Sequence, residues 1–269
     1  MTWMAGNNTR FLVESALLSH GLASVTDEDL LCAWPFSEQN IAWVEEGAIK
    51  IGGIRQFLCF RSDAGSANRI DCNFLPTALS QGFTGALTAS GTMAVCEKVG
   101  ISLAVTCGIG GICDIKAEKL CPDLPALEKI PVGLISSGPK DMIDVPATFE
   151  WLAEHGVLVC SASQAHYTGY IFKSTNVPMH RLELADIALR QKEPLLIVNP
   201  IPDEKKIKDL AILKAGVAAG KKAEEEGKYY HPAASSEFDR LTNGLSSKIQ
   251  LDALVSNVKM AQKLAMLIE

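Results

Sequence analysis

The feature that most constrains this fold is a set of short apolar runs, each followed at once by small or polar residues. The runs are rich in β-branched residues and do not alternate between apolar and polar positions. That pattern is typical of strands buried on both faces of a parallel sheet. The clearest runs cover residues 101–105, 132–135, 157–160 and 195–198.

Helical segments lie between and after these strands. We predict helices over 88–99, from an Asp144 N-cap to a stop at Gly156, over roughly 204–226, and from about 246 to 268. Alternating strands and helices favour an α/β fold, with three α/β/α layers around a mixed, largely parallel sheet. The sheet should be mixed because residues 41–51 read as an antiparallel hairpin. No linker is visible, so we expect one domain over residues 1–269.

Charge and composition exclude several classes of partner. The formal net charge is −6 without a dense Lys/Arg stripe, so neither nucleic acid nor an anionic membrane is expected to bind. No apolar run approaches the ~20 residues of a membrane span, and Met1–Arg10 lacks the pattern of a signal peptide. The eight cysteines contain no CxxC pair and no histidine at zinc-ligand spacing. Reduced thiols and a cytoplasmic location are therefore expected.

Two polar residues that follow apolar runs could carry chemistry, because ligands of open α/β sheets bind at the carboxyl ends of strands. Lys140 follows a run and a Ser-Ser-Gly-Pro turn, and as a partly desolvated neutral amine it could attack a carbonyl to form an imine. Glu14 ends the 11–13 run and could act as a general acid or base. The simpler alternatives are a solvated loop lysine and a capping or surface glutamate.

Two segments could bind an anion. The glycine cluster at 108–111 would let backbone N–H groups approach a phosphate, although a tight turn is the more common reason for such a cluster. Thr88, Ser90 and Thr92 stand at a predicted helix start, where hydroxyls and free N–H groups suit a phosphate and where N-capping is the alternative. The five histidines share no spacing and are interpreted as structural.

Taken in order, these segments resemble the pseudouridine-5′-phosphate glycosidase (indigoidine synthase A-like) family. The longest match is SGPKDMIDVPATFEWL at 137–152, which resembles the segment that carries the family's catalytic lysine. VESALLSHG at 13–21 resembles its opening motif, GALTASGTM at 85–93 its threonine-rich helix start, and TCGIGGI at 106–112 its glycine loop. Shorter matches are VPMHR at 177–181, VNPIP at 198–202, and GK at 227–228 followed by LTNG at 241–244. The resemblance covers nearly the whole chain from Phe11.

The resemblance implies a defined reaction. Family members cleave the C–C glycosidic bond of pseudouridine 5′-phosphate, reversibly, to uracil and ribose 5-phosphate, as enzymes of the carbon–oxygen lyase class. The lysine matching Lys140 forms an imine with C1 of the ring-opened ribose, and the glutamate matching Glu14 transfers protons. A divalent metal, usually Mn²⁺, is bound nearby, and the enzyme is a homotrimer that acts on a small sugar phosphate. A protonated imine makes chemical sense here, because it turns the sugar carbon into an electron sink.

The candidate site residues follow from the resemblance together with the strand-end argument. Lys140 and Glu14 are the catalytic candidates. The substrate- or phosphate-binding candidates are Arg69, Thr88, Thr106, Gly108, Gly110, Gly111, Ser137 and Asn199. The metal-binding candidates are Asp114, Glu118 and Asp123.

The chain also departs from the family pattern in one half of the site. Cys72 and Asn73 stand where the family has two arginines, Arg69 replaces a lysine, and Cys113 replaces a histidine. The segment after Cys113 is shorter, and His231-Pro-Ala replaces Thr-Pro-Phe. Three hypotheses remain: the family's glycosidase, a related lysine-imine lyase or C-glycoside synthase with another sugar phosphate or aglycone, or a non-catalytic paralogue that binds a ligand.

Overall fold

The computed structural model describes residues 9–115, 119–190 and 193–268, and gives only the backbone of residues 20 and 64. Most of the Met1–Arg10 segment and the metal candidate Glu118 lie outside the described residues. The strands are β1 Leu12–Val13, β2 Ile41–Glu45, β3 Ala48–Gly52, β4 Arg69–Ile70, β5 Gly85–Leu87, β6 Leu103–Val105, β7 Gly133–Ser136, β8 Leu158–Ser161, β9 His166–Tyr167, β10 Val177–Pro178, β11 His180–Arg181 and β12 Leu195–Val198. The helices are α1 Asp27–Ala33, α2 Ile54–Arg61, α3 Leu75–Gln81, α4 Ala89–Val99, α5 Asp123–Lys129, α6 Val145–Glu154, α7 Leu184–Ala188, α8 Leu210–Glu225, α9 Tyr230–Leu241 and α10 Leu245–Ala265.

Within the described ranges, a 10-stranded sheet runs in the order β11-β8-β12-β7-β6-β1-β2-β5-β4, with β3 paired to β2. From β11 to β2 along this order, each strand is parallel to the next. The hairpin of β2 and β3 is antiparallel, as is the pairing of β2 with β5. The predicted mixed, largely parallel sheet is therefore confirmed, as are its four central strands.

Helices cover both faces of the sheet. One apolar core contains side chains of α1, α2, α7, α9 and α10, and the other contains side chains of α3, α4, α5 and α6. The strands divide alternate residues between the two cores: Leu103 and Val105 of β6 belong to one and Ala104 to the other. Burial on both faces explains why these runs do not alternate between apolar and polar positions. The predicted three-layer α/β/α architecture is confirmed.

Helix ends with a local signal were predicted well. Thr88 caps α4, and Gly100 ends it in the left-handed region with φ of 77°. The Asp144 side chain accepts a hydrogen bond from Ala147 N at 3.1 Å at the start of α6. The helix predicted from 204 instead begins at Leu210, because Asp209 caps it through Ala211 N at 2.9 Å.

Small residues form the buried face of α8, which packs against α9, a helix that was not predicted. The buried residues of α8 are Gly216, Gly220 and Ala223, whereas Leu210 is exposed. A Cβ at Gly216 would lie 2.0 Å from the Phe238 ring of α9, so small residues allow the two helices to pack closely. No helix among the described residues is long and apolar enough to cross a membrane.

Strands β1 and β5 meet head to head. Strand β3 pairs with β2 over all of residues 41–45 and so occupies one edge of β2. Strand β1 pairs with Ile41, and β5 with Trp43 and Val44, so both lie on the other edge. Because β1 is parallel and β5 antiparallel to β2, their carboxyl ends face each other. Ser15 N donates to Leu87 O at 3.3 Å, and Leu87 N donates to Ser15 Oγ at 2.9 Å, which joins the two ends.

Candidate active site

Four strand ends converge at this junction. Strand β6 is parallel to β1, and β4 is parallel to β5, so the carboxyl ends of all four strands point into the same space. The residues that follow them include Glu14 after β1, Thr106 after β6 and Thr88 after β5. Strand β7 lies next to β6 and brings in the segment that leads to Lys140. The crevice at strand carboxyl ends is where α/β sheets bind ligands.

Glu14 is the central carboxyl group of this junction. Its side chain is buried, with 7% of the residue exposed. Burial raises its pKa from 4.5 to about 7, against the opposing charge of Lys140. The buried Thr106 hydroxyl faces the same carboxyl and lowers its pKa, although the pair does not reach regular hydrogen-bond geometry. A group with a pKa near neutrality can both give and take a proton under physiological conditions.

Lys140 reaches the site because the β6–β7 ladder continues past the ends of both strands. Ser137 N donates to Cys107 O at 2.6 Å, Ile109 N to Gly138 O at 3.1 Å and Lys140 N to Ile109 O at 3.1 Å. The two loops therefore run side by side. Lys140 is half-buried, and its charge acts on the Glu14 carboxyl and on the Cys107 thiol. The structure brings together the lysine and the glutamate that the sequence proposed as catalytic partners.

The glycine loop packs tightly against its neighbours. A Cβ at Gly108 would lie 2.7 Å from the Tyr170 ring, one at Gly110 2.2 Å from the Cys121 sulfur, and one at Gly111 2.3 Å from the Thr148 hydroxyl. These contacts supply a packing reason for all three glycines. They leave anion binding by the loop as a prediction.

Asp123 joins the glycine loop to the start of α4. Its carboxylate accepts hydrogen bonds from Ser90 N at 3.0 Å and from Gly110 N at 2.9 Å. Thr88 Oγ1 accepts from Gly91 N at 3.3 Å, as an N-cap does. A carboxylate of the protein itself thus occupies two of the N–H groups that a phosphate could have used. Arg69 lies at the exposed start of β4, and its charge lowers the pKa of Glu14.

Asn257 of α10 is a site residue that the sequence interpretation missed. Its fully buried amide donates to Thr106 O at 2.8 Å and to Ser137 Oγ at 3.1 Å, and it accepts from Asn199 Nδ2 at 2.9 Å. One side chain therefore ties together the ends of β6, β7 and β12. Thr106, Ser137 and Asn199 lie together as predicted, but Ser137 and Asn199 direct their side chains to Asn257. An amide on the apolar face of a helix is the sequence signal that could have identified it.

Comparison with known proteins identifies the family. The family profile described as "Indigoidine synthase A like protein" matches residues 38–267. The chain belongs to the indigoidine synthase A-like family. The resemblance found in the sequence motifs is thereby confirmed.

Curated relatives of this indigoidine synthase A-like chain are named pseudouridine-5′-phosphate glycosidase, so the family is one of enzymes. The relative from Mesorhizobium japonicum is 31% identical over 94% of this chain and 90% of its own length. The relative from Petrotoga mobilis is 28% identical with the same coverage of both chains.

Solved structures of similar fold support the architecture. An indigoidine synthase A-like protein from Thermotoga maritima matches with a TM-score of 0.81 at 23% identity, covering 95% of this chain and 92% of that one. The prealnumycin C-glycosynthase AlnA, solved in complex with ribulose 5-phosphate, matches with a TM-score of 0.75 at 24% identity and covers 97% of this chain and 91% of its own.

The described metal candidates do not fit a shared ion. Asp114 is fully exposed at its side chain and pairs with Lys221 at 3.2 Å. Asp123 directs both carboxylate oxygens to backbone N–H groups. Within residues 9–115, 119–190 and 193–268, no group of three or more His, Cys, Asp or Glu side chains could hold a metal ion. The predicted Mn²⁺ stays a prediction.

Proposed function

We propose that this chain cleaves pseudouridine 5′-phosphate, reversibly, to uracil and ribose 5-phosphate through an imine at Lys140. The supporting observation is the placement of Lys140 and Glu14 at the junction of four strand ends, with the pKa of Glu14 raised to about 7. The names of the relatives supply the substrate. Lys140 would supply the amine and Glu14 the proton transfers.

The proposed reaction balances as a hydrolysis of the C–C bond. The neutral Lys140 amine displaces the ring oxygen from C1 of the sugar, and that oxygen leaves as a hydroxyl by taking the proton that the attacking nitrogen loses. A proton from Glu14 then adds to C5 of uracil while the C1–C5 bond breaks, and the lysine nitrogen's electron pair forms the C1=N⁺ imine. Water hydrolyses the protonated imine to ribose 5-phosphate, which restores the neutral amine and releases the proton that returns to Glu14.

The substrate's phosphate is proposed to bind at Arg69, Thr88 and the N–H groups of the glycine loop that the protein leaves available. A guanidinium can pair with two phosphate oxygens. Because Asp123 occupies Gly110 N, Gly108 and Gly111 are the better candidates within the loop. Removing the phosphate from the substrate should raise KM strongly, and a nucleoside that reacts as well as its 5′-phosphate would contradict this pocket.

A second candidate is C-glycoside synthesis with another aglycone. It is supported by the similar fold of AlnA, a C-glycosynthase that binds ribulose 5-phosphate. It is also supported by the altered half of the site, where Cys72 lies half-buried beside Asp123 and Ser90. A thiol there cannot pair with an anion as the family's arginine can.

One assay separates the two candidates. The purified chain is incubated with pseudouridine 5′-phosphate, with and without Mn²⁺, and uracil release is followed by chromatography. Uracil release that is lost in Lys140→Ala supports the glycosidase. Absence of uracil release, combined with an imine between Lys140 and a pentose 5-phosphate, supports the synthase with a different aglycone.

A further inference from the structure

Next to Lys140 lies a buried carboxylate that the proposed reaction does not use. Asp141 is 9% exposed, and its side chain fixes a turn that comes from a distant segment of the chain. It accepts hydrogen bonds from Tyr170 N at 2.9 Å, Ile171 N at 2.8 Å, Phe172 N at 3.0 Å and Ser174 Oγ at 2.6 Å. Three consecutive N–H groups on one carboxylate leave the turn little freedom to move relative to Lys140.

That turn carries Tyr170 into the wall of the site. The Tyr170 ring is buried against Gly108, where a Cβ would lie 2.7 Å from it. Its hydroxyl donates to Cys107 Sγ at 2.8 Å. The Cys107 thiol lies within the electrostatic influence of both Glu14 and Lys140. The buried ring therefore packs against the Cys107–Gly108 segment, and its hydroxyl lies within the electrostatic influence of the Glu14 carboxyl.

We propose that Asp141 is a positioning residue that holds the Tyr170 ring against the glycine loop and thereby keeps water away from the Glu14 carboxyl. This inference rests on the proposed function for the catalytic role of Glu14. It adds a cause for the protonation behaviour of that residue. The device consists of one carboxylate, one three-residue turn and one aromatic ring.

Among the described residues, few charged and titratable groups face Glu14. The charges of Lys140 and Arg69 lower its pKa, and the charge of Asp123 raises it. Burial raises the pKa of the Cys107 thiol to about 12 and raises that of the Tyr170 hydroxyl, so both are neutral at physiological pH. The loss of solvent on burial is the largest influence on the pKa of Glu14. Admitting water should therefore move its pKa back towards the ordinary value of 4.5.

The test measures the protonation of Glu14 through unfolding and needs no turnover. The free energy of unfolding is determined by chemical denaturation from pH 4 to 8 in pairs of variants with and without Glu14→Gln. The difference within each pair changes only over the pH range in which Glu14 titrates. The backgrounds are wild type, Asp141→Asn, Tyr170→Leu and Lys173→Ala. Lys173 lies on the same turn, is exposed and pairs with Asp203, so it is the matched control.

In wild type and in Lys173→Ala, the difference in the free energy of unfolding within each pair should change with pH up to about pH 7. In Asp141→Asn and Tyr170→Leu, the pH at which this difference stops changing should be lower by about one pH unit or more. An unchanged limit in both overturns the proposal, even if Lys140 still forms its imine. If Asp141→Asn does not fold, the result for Tyr170→Leu alone decides the test. Should the proposed function fail instead, imine formation is lost while the pH limits still shift as stated.

Discussion

At the residue scale, the raised pKa that suits Glu14 to proton transfer also makes the stability of the protein depend on pH. Its raised pKa means that the native state binds this proton more tightly than the unfolded state does. The stability it contributes is complete below about pH 4.5 and is lost as the pH rises through about 7. A buried carboxyl therefore destabilises the fold at the pH where the proposed reaction needs it.

Glu14→Gln should stabilise the protein at pH 8 while it removes the group proposed to transfer protons. The side chain keeps its shape but loses its charge, so the free energy of unfolding should rise by about 3 kcal/mol at pH 8 and show little gain at pH 4. Denaturant unfolding at the two pH values measures this. Equal effects at both pH values would contradict a raised pKa.

The rate of uracil release should also depend on the Glu14 carboxyl. Uracil release should fall about 10²–10⁴-fold in Glu14→Gln, because the acid–base group is lost while binding contacts remain. In the wild type, the rate should change with pH around 7. A Glu14→Gln enzyme that turns over normally but binds substrate weakly would show that the residue only positions the substrate.

Two site residues could be predicted from sequence because their signal is local. Lys140 and Glu14 each follow a buried run, and parallel strands bring such positions to one edge. Asp141 and Tyr170 gave no such signal, since their contact joins segments 29 residues apart in the chain. The tight contacts of the glycine loop were equally hidden, because the Tyr170, Cys121 and Thr148 side chains arrive from elsewhere.

At the element scale, α10 organises the strand ends through Asn257, which lies near the middle of the helix. Asn257→Ala should lower the free energy of unfolding by roughly 1–3 kcal/mol, because Thr106 O and its other partners lose a buried hydrogen bond. Uracil release should fall as well. The matched control is Ser256→Ala. The exposed Ser256 hydroxyl accepts from Asn199, and its removal should change stability by less than about 0.5 kcal/mol. Equal effects of the two substitutions would contradict the role of Asn257.

Elements defined by their own sequence were predicted, and elements defined by distant partners were not. Caps and stops fixed α4 and α6, and the turn at 45–47 fixed the hairpin of β2 and β3. The head-to-head meeting of β1 and β5 depends on how both pair with β2, which no local pattern encodes. Strand β1 has only two residues and gains its position from β2 and β6.

At the scale of the whole molecule, the predicted homotrimer can be measured directly. Sedimentation equilibrium should give three times the chain mass of 28.9 kDa. A monomer mass at the protein concentration of the activity assay would contradict the prediction.

Adding EDTA to the purified chain tests the predicted Mn²⁺. Loss of uracil release that added Mn²⁺ restores would support the metal, and unchanged activity would contradict a metal requirement and agree with the absence of a fitting cluster among the described residues.

The most direct test of the account is covalent trapping at Lys140. The protein is incubated with ribose 5-phosphate and sodium borohydride, which reduces an imine to a stable amine, and the labelled peptide is identified by mass spectrometry. The adduct should lie on Lys140 and should disappear in Lys140→Ala. A Lys173→Ala control, at an exposed lysine outside the site, should label fully. Undiminished labelling of Lys140→Ala, or an adduct on another lysine of the wild type, would contradict the assignment of Lys140 as the imine-forming residue.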